Sequence, residues 1–136
     1  DIEEKNISNI SELLLKYEVD IIIISNSTDQ NRKDLKNINK LEKGGLSGKP
    51  LEKKSNILIN KFYKILSKRV KIIGVGGVDS GRSAYEKIIN GATLVQLYTG
   101  MIYKGPNIAT NINRELITIL KSEGMKNISE AIGIKN

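Results

Sequence analysis

The spacing of apolar positions changes along the chain, and each change marks a new element. From Ile7 they recur as Ile7, Ile10, Leu14 and Tyr17. That is helical spacing, and it predicts an amphipathic helix ending near Glu18. Asp1 and Glu4 ahead of it stand at capping-box distance. Residues 19–24 form a β-branched run broken only by Asp20, which predicts a strand apolar and buried on both faces, as in parallel α/β sheets. The run ends in Ser25-Asn26-Ser27-Thr28. A long polar stretch follows over 29–50 and contains Gly44-Gly45-Leu46-Ser47-Gly48. Connections of this length are characteristically functional or disordered.

A second helix is predicted over about 51–68, with Leu58, Phe62, Ile65 and Leu66 on one face. Residues 70–75 predict a second buried strand that runs into Gly76-Gly77. Ser80 can cap the helix that follows, where Ala84, Ile88 and Ile89 face inward, and Gly91 stops it. A third strand, 93–97, leads into Tyr98-Thr99-Gly100, and 101–103 suit one short helical turn. The last helix is expected over about 106–121, with Ile108, Ile112, Leu116 and Ile119 aligned. Gly124 ends it, and 128–132 suit a small terminal turn. Strict helix–strand alternation implies an α/β fold with parallel strands and right-handed crossovers. Three strands are few, and a free edge beside 21–24 would be adhesive. The expectation is therefore a set of βα units from a larger sheet, with further strands preceding Asp1.

Composition narrows the chemistry. A length of 136 residues suits one domain, and 39% hydrophobic residues permit a core. With aromatics at 4%, that core must be built from Ile, Leu and Val. There is no cysteine and no histidine. Disulfides, thiolate metal sites and a cysteine nucleophile are thus excluded within this stretch, and no metal site is expected. The commonest general base is also missing. The longest apolar run, 21–24, is too short to span a bilayer, and the N-terminus has no signal-peptide pattern. The chain opens without Met and in mid-pattern, which reads as a cut from something longer.

The net charge is 22 − 15 = +7. Such a balance can mark nucleic-acid or acidic-membrane binding. Here Lys, Asn and Ile are all heavily used, Lys greatly outnumbers Arg, and the lysines at 33, 36, 40, 53, 54, 61, 64 and 68 are scattered among apolar positions. That pattern fits compositional drift and solvated helix faces, so no nucleic-acid partner is expected.

The informative residues all follow strands, the end of a β/α barrel where active sites lie. Gly76-Gly77, then Tyr98-Thr99-Gly100 with the turn at 101–103, match the recurrent phosphate site at two consecutive strand ends. Glycines there let backbone N–H groups approach a phosphate closely. Asn26 offers a donor and an acceptor on one planar group, suited to a heterocycle with amide edges. Taken on pattern alone, however, Ser25-Asn26-Ser27-Thr28 is better read as ordinary turn chemistry. Glu86, Glu115, Arg82 and Arg114 lie in mid-helix and are expected on the surface. No acid–base pair stands out, so no catalytic residue is assigned in this stretch.

Taken together, ISNST (24–28), GGLSGKPL (44–51), IIGVGGVDSG (72–81), GATLVQLYTGMIYKGP (91–106) and EAIG (130–133) closely resemble the dihydroorotate dehydrogenases. Five motifs in order over essentially the whole chain are far more specific than any one of them. The segment LVQLYTGMIYKGP is similar to the quinone-dependent, membrane-associated class. The resemblance implies a (β/α)8 TIM barrel, of which residues 1–136 would be the C-terminal portion, about three βα units of a single FMN-binding domain. It implies FMN as hydride acceptor in the oxidation of dihydroorotate to orotate, with quinone as final acceptor, in de novo pyrimidine (UMP) biosynthesis. Ser25, where the family commonly has Thr, and Gly48 would contact the flavin. Gly77, Tyr98 and Thr99 would bind its phosphate, and Asn26 and Ser27 the substrate. Peripheral attachment to a bacterial cell membrane, or to the mitochondrial inner membrane in a eukaryote, would run through an absent N-terminal region. The family's catalytic base lies in an earlier barrel loop, so this stretch alone is expected to be catalytically incomplete.

Two other readings compete. One is a different FMN barrel such as a tRNA dihydrouridine synthase, which has only the basic charge in its favour. The other is a truncated, non-catalytic relic or a half-barrel that binds a partner.

Overall fold

Each strand of the chain is followed by a helix that returns over the same face of the sheet. The computed structural model describes residues 1–30, 32–33 and 35–136, so positions 31 and 34 of the long polar stretch lie outside the described residues. In chain order the elements are α1 (Ile7–Lys16), β1 (Ile21–Ile24), α2 (Glu52–Leu66), β2 (Lys71–Val75), α3 (Gly81–Ile89), β3 (Leu94–Gln96), α4 (Thr99–Lys104) and α5 (Ile108–Ser122). The sheet has the order β1-β2-β3, and both pairings are parallel. Ile22 faces Ile72, Ile24 faces Gly74, and Gly74 faces Val95.

The core lies on the helix-covered side. Ile24 and Ile72 from the sheet meet Ile59, Phe62 and Leu66 of α2, all without exposed surface. Side chains of this size each stabilise the fold by about 1.5–3 kcal/mol when fully buried. Gly74 marks the closest approach, since a Cβ there would stand 2.9 Å from Ile59 Cδ1 and 3.0 Å from Ala92 Cβ. Further along, α3 and α5 pack through Val78, Ala84, Ile108 and Ile112. Tyr85, Ile88, Ile89 and Ala131 close a third cluster near the C-terminus.

The signals that end and begin helices act locally as expected. Ser80 caps α3 in a capping box: its hydroxyl accepts from the Ser83 N–H, and the Ser83 hydroxyl accepts from the Ser80 N–H. Gly91 (φ 120°) and Gly124 (φ 72°) take the left-handed backbone that ends α3 and α5.

Several expectations are corrected. β1 is not buried on both faces: Ile24 is fully buried, but Ile21 and Ile23 are exposed, as is Leu94 of β3. The described helices cover only one side of the sheet, so the alternate side chains of this apolar run face outward. Tyr17 is exposed rather than part of the apolar face of α1. Asp1 does not cap the first turn. Its carboxylate instead accepts from the Thr28 hydroxyl at 2.7 and 2.8 Å and pairs with Lys54, tying the N-terminus to the end of β1. Glu86 is largely covered and bridges Arg82 and Lys135, both at 2.8 Å. Glu115 is exposed as expected, although its carboxylate also accepts the Gly81 N–H at the start of α3. Arg82 and Arg114 are on the surface as expected.

Candidate functional site

The ends of all three strands open onto one cleft of about 910 Å³. Ser25, Asn26, Ser27, Gly48, Gly77, Tyr98 and Thr99 all line it. The topology accounts for this convergence. Parallel strands in sequential order place the residues after β1, β2 and β3 side by side, and residues 45–50 of the long connection lie against them.

That connection is fixed by short-range contacts. Thr28 and Leu46 pair as an antiparallel bridge, with N–H···O distances of 3.1 and 2.7 Å. Gly45 then passes so close to Ser27 that a Cβ would lie 2.2 Å from the Ser27 hydroxyl oxygen. Gly48 is buried, and the Ser47 hydroxyl meets the Thr99 hydroxyl at 3.0 Å. The loop after β1 is thereby brought against the strand end after β3.

Gly76 (φ 110°) and Gly77 (φ 76°) turn the chain between β2 and α3. Among the described residues, the N–H groups of Gly76, Gly77 and Val78 make no hydrogen bond. Three neighbouring donors without partners, on a turn that lines a cleft, are the arrangement that an anion can satisfy. Tyr98, with an exposed ring, precedes α4, so the N–H groups of the first α4 turn also begin at this cleft.

The sequence reading missed the charges at the rim. Asp79 holds two lysines: Lys49 Nζ lies 3.1 Å from its Oδ1 and Lys104 Nζ 3.8 Å from its Oδ2, while Lys104 also donates to the Asp79 carbonyl at 2.8 Å. Partial burial pushes the Asp79 carboxyl upward, but the hydrogen bond and charge of Lys49, with Lys104 and Ser83, outweigh it and hold the group below the usual carboxylate value. The hydrogen bond to Glu52, 2.7 Å away, raises the Lys49 ammonium above its ordinary value, burial opposes it, and Asp79 adds to the rise. Both groups are therefore charged near neutral pH, and neither is suited to accept a proton there. Their signal in the sequence was only the placement of Lys49 and Asp79 next to the glycine motifs, with no charge-pair spacing to join them.

Comparison with known proteins gives these features a context. Residues 1–120 match the family model "Dihydroorotate dehydrogenase". The chain is 47% identical over 116 residues to the dihydroorotate dehydrogenase (quinone) of Buchnera aphidicola, which covers 85% of this chain and 34% of that protein. It is 43% identical over 135 residues to the mitochondrial dihydroorotate dehydrogenase (quinone) of Arabidopsis thaliana, covering 98% of this chain and 29% of that one. The crystal structure of DHODH from Eimeria tenella in complex with ferulenol superposes with a TM-score of 0.96 at 37% identity, over 99% of this chain and 36% of that one. The chain thus spans about a third of the length of the relatives it matches.

Proposed function

The chain belongs to the dihydroorotate dehydrogenase family, and on that premise we propose that it forms the C-terminal part of the TIM barrel of a quinone-dependent dihydroorotate dehydrogenase, carrying the flavin-phosphate side of the active site. The observation that carries this reading is the convergence of Ser25, Asn26, Ser27, Gly48, Gly77, Tyr98 and Thr99 on one strand-end cleft. The family match leaves the tRNA-modifying barrel without support.

The residues present fit FMN. The unpartnered N–H groups of the 76–78 turn suit a phosphate. Lys49 and Lys104 stand at the same rim, their charges balanced by Asp79 and Glu52. Gly77, Tyr98 and Thr99 would hold the phosphate through backbone N–H groups and the Thr99 hydroxyl. Ser25 and Gly48 would meet the flavin, and Asn26 and Ser27 would hold the carboxylate or ring edge of dihydroorotate. Held by these residues, FMN would supply a hydride acceptor for dihydroorotate and a route for the two electrons to quinone. The proton that leaves with the hydride needs a base. Asp79 and Lys49 are held charged and do not supply it; the likeness to the family implies a base in an earlier barrel loop, outside this stretch.

The relatives, quinone-dependent and in one case mitochondrial, support a quinone partner and peripheral membrane association, bacterial or mitochondrial. No helix among the described residues is long and apolar enough to cross a membrane. The test is dihydroorotate oxidation by the full-length protein and by the 136-residue chain. The full-length protein should reduce a quinone analogue, and the chain alone should be inactive. Turnover that a water-soluble acceptor supports and the quinone analogue does not would overturn the class, and oxidation by the chain alone would overturn the placement of the base.

A further inference from the structure

Among the described residues, Lys87 is the one charged side chain with no exposed surface. It projects from α3 into the layer between α2 and the sheet. Its Nζ donates to Asn56 Oδ1 at 2.9 Å and to the Ser55 hydroxyl at 3.1 Å. The Ser55 hydroxyl, itself buried, donates in turn to the Val75 carbonyl at 2.5 Å. Val75 is the last residue of β2, and Gly76-Gly77 follow it directly. The stem of Lys87 flanks the same strand end, since a Cβ on Gly74 would lie 3.1 Å from Lys87 Cδ. Ser55 also packs beneath the turn, with a Cβ on Gly76 standing 3.4 Å from Ser55 Cβ.

Stability alone gives no reason for an ammonium here. Burying one costs several kcal/mol, and an apolar side chain of the same shape is often neutral or stabilising. The charge is instead wired, through one hydroxyl, to the peptide that begins the glycine turn.

We propose that Lys87 is a positioning residue of the flavin-phosphate site, an inference that rests on the reading of the strand-end cleft above: through Ser55 its ammonium fixes the Val75 carbonyl, and with it the peptide planes that present the Gly76 and Gly77 N–H groups to the phosphate. Its positive charge, in a low-dielectric layer behind the turn, also favours a bound dianion. Burial pushes the group down to about 8, with Glu52 opposing the fall, so the ammonium still predominates at neutral pH.

The test compares FMN with riboflavin, which lacks the phosphate, by titrating flavin-free full-length protein and following flavin fluorescence. Lys87→Met keeps the length of the stem and removes the charge and the donors. It should weaken FMN binding about tenfold or more, the equivalent of one charge-assisted hydrogen bond, and change riboflavin binding by less than about twofold. Ser55→Ala, which cuts only the relay, should shift the same ratio in the same direction by less. Equal losses for both ligands, or an unchanged preference for FMN, would overturn the role of Lys87. Wild-type protein with no preference for FMN over riboflavin would instead overturn the phosphate-site reading itself. Should Lys87→Met fail to fold, Ser55→Ala decides: selective loss of FMN supports the relay, and an unchanged ratio overturns it.

Discussion

Gly48 lies directly against Thr99: a Cβ on Gly48 would stand 2.9 Å from Thr99 Cγ2. The loop after β1 and the strand end after β3 therefore meet at a position where only hydrogen fits. The backbone at Gly48, with φ 79° and ψ −153°, falls in a region that glycine alone adopts readily.

Gly48→Ala should accordingly destabilise the full-length protein by about 1–3 kcal/mol and weaken FMN binding. Thr99→Ser in the same background removes the opposing methyl and keeps the hydroxyl, so it should recover part of the loss in a denaturant titration. If the double variant is no more stable than Gly48→Ala, the methyl contact is not what excludes a side chain at Gly48.

The capping box of α3 gives an ordered pair of effects. Ser80→Ala removes one capping acceptor and should cost about 1 kcal/mol. Ser83 does more: its buried hydroxyl accepts from the Asp79 and Ser80 N–H groups at 2.9 and 3.0 Å. Ser83→Ala leaves both without that acceptor and should cost about 1–3 kcal/mol. Urea unfolding of the two variants should rank Ser83→Ala as the more damaging, and the reverse order would place the main cap on Ser80.

Much of this architecture could be read from the chain because its signals are local. The β-branched runs, the helical spacing of Phe62 with Leu66 or of Ile108 with Ile112, and the stops at Gly91 and Gly124 each act within a few residues. The convergence of the glycine turns and Tyr98-Thr99 on one cleft was legible because parallel topology brings successive strand ends together. What the sequence did not reveal depends on contacts made at long range. Asp1 looked like a cap, yet its partners Thr28 and Lys54 come from distant segments. Glu115 is solvated as its mid-helix position suggested, but its hydrogen bond to the Gly81 N–H across the α3–α5 junction had no local signal. Lys87 had a signal that went unused: it sits between Ala84 and Ile88 on the inward face of α3, where a lysine must find acceptors. The Asp79 pairings with Lys49 and Lys104 had no such pattern to betray them.

The junction of α3 and α5 is tight enough to test by a double-mutant cycle. A Cβ on Gly81 would stand 2.3 Å from Glu115 Cβ and 3.0 Å from the Leu116 backbone nitrogen. Gly81→Ala should therefore cost about 1–3 kcal/mol by forcing the helices apart, and Glu115→Ala about 1 kcal/mol by removing the acceptor at Gly81. The two sites are in contact, so the double variant should lose less than the sum. Strict additivity would mean that the helices do not touch there.

Lys87 also makes a prediction for pH. Its value is about 8 in the folded protein against an ordinary 10.5. Between these values the unfolded chain binds more protons than the folded one, so stability rises with pH across that window. The Lys87 contribution should grow by on the order of 3 kcal/mol from pH 8 to above 10. Burial raises the Tyr85 phenol above its usual value, which works in the opposite direction above about pH 10. The clean readout is thus the difference between wild type and Lys87→Met over pH 8–10. That difference should increase with pH in favour of wild type, and a flat difference would mean that Lys87 is not held at a lowered value.

A crystal structure of the full-length protein with FMN tests the flavin-phosphate assignment most directly. The phosphate should sit within hydrogen-bonding distance of the Gly77, Tyr98 and Thr99 N–H groups, with Lys87 still joined to Val75 through Ser55. A phosphate bound away from the 76–78 turn and Thr99 would contradict the assignment of this cleft.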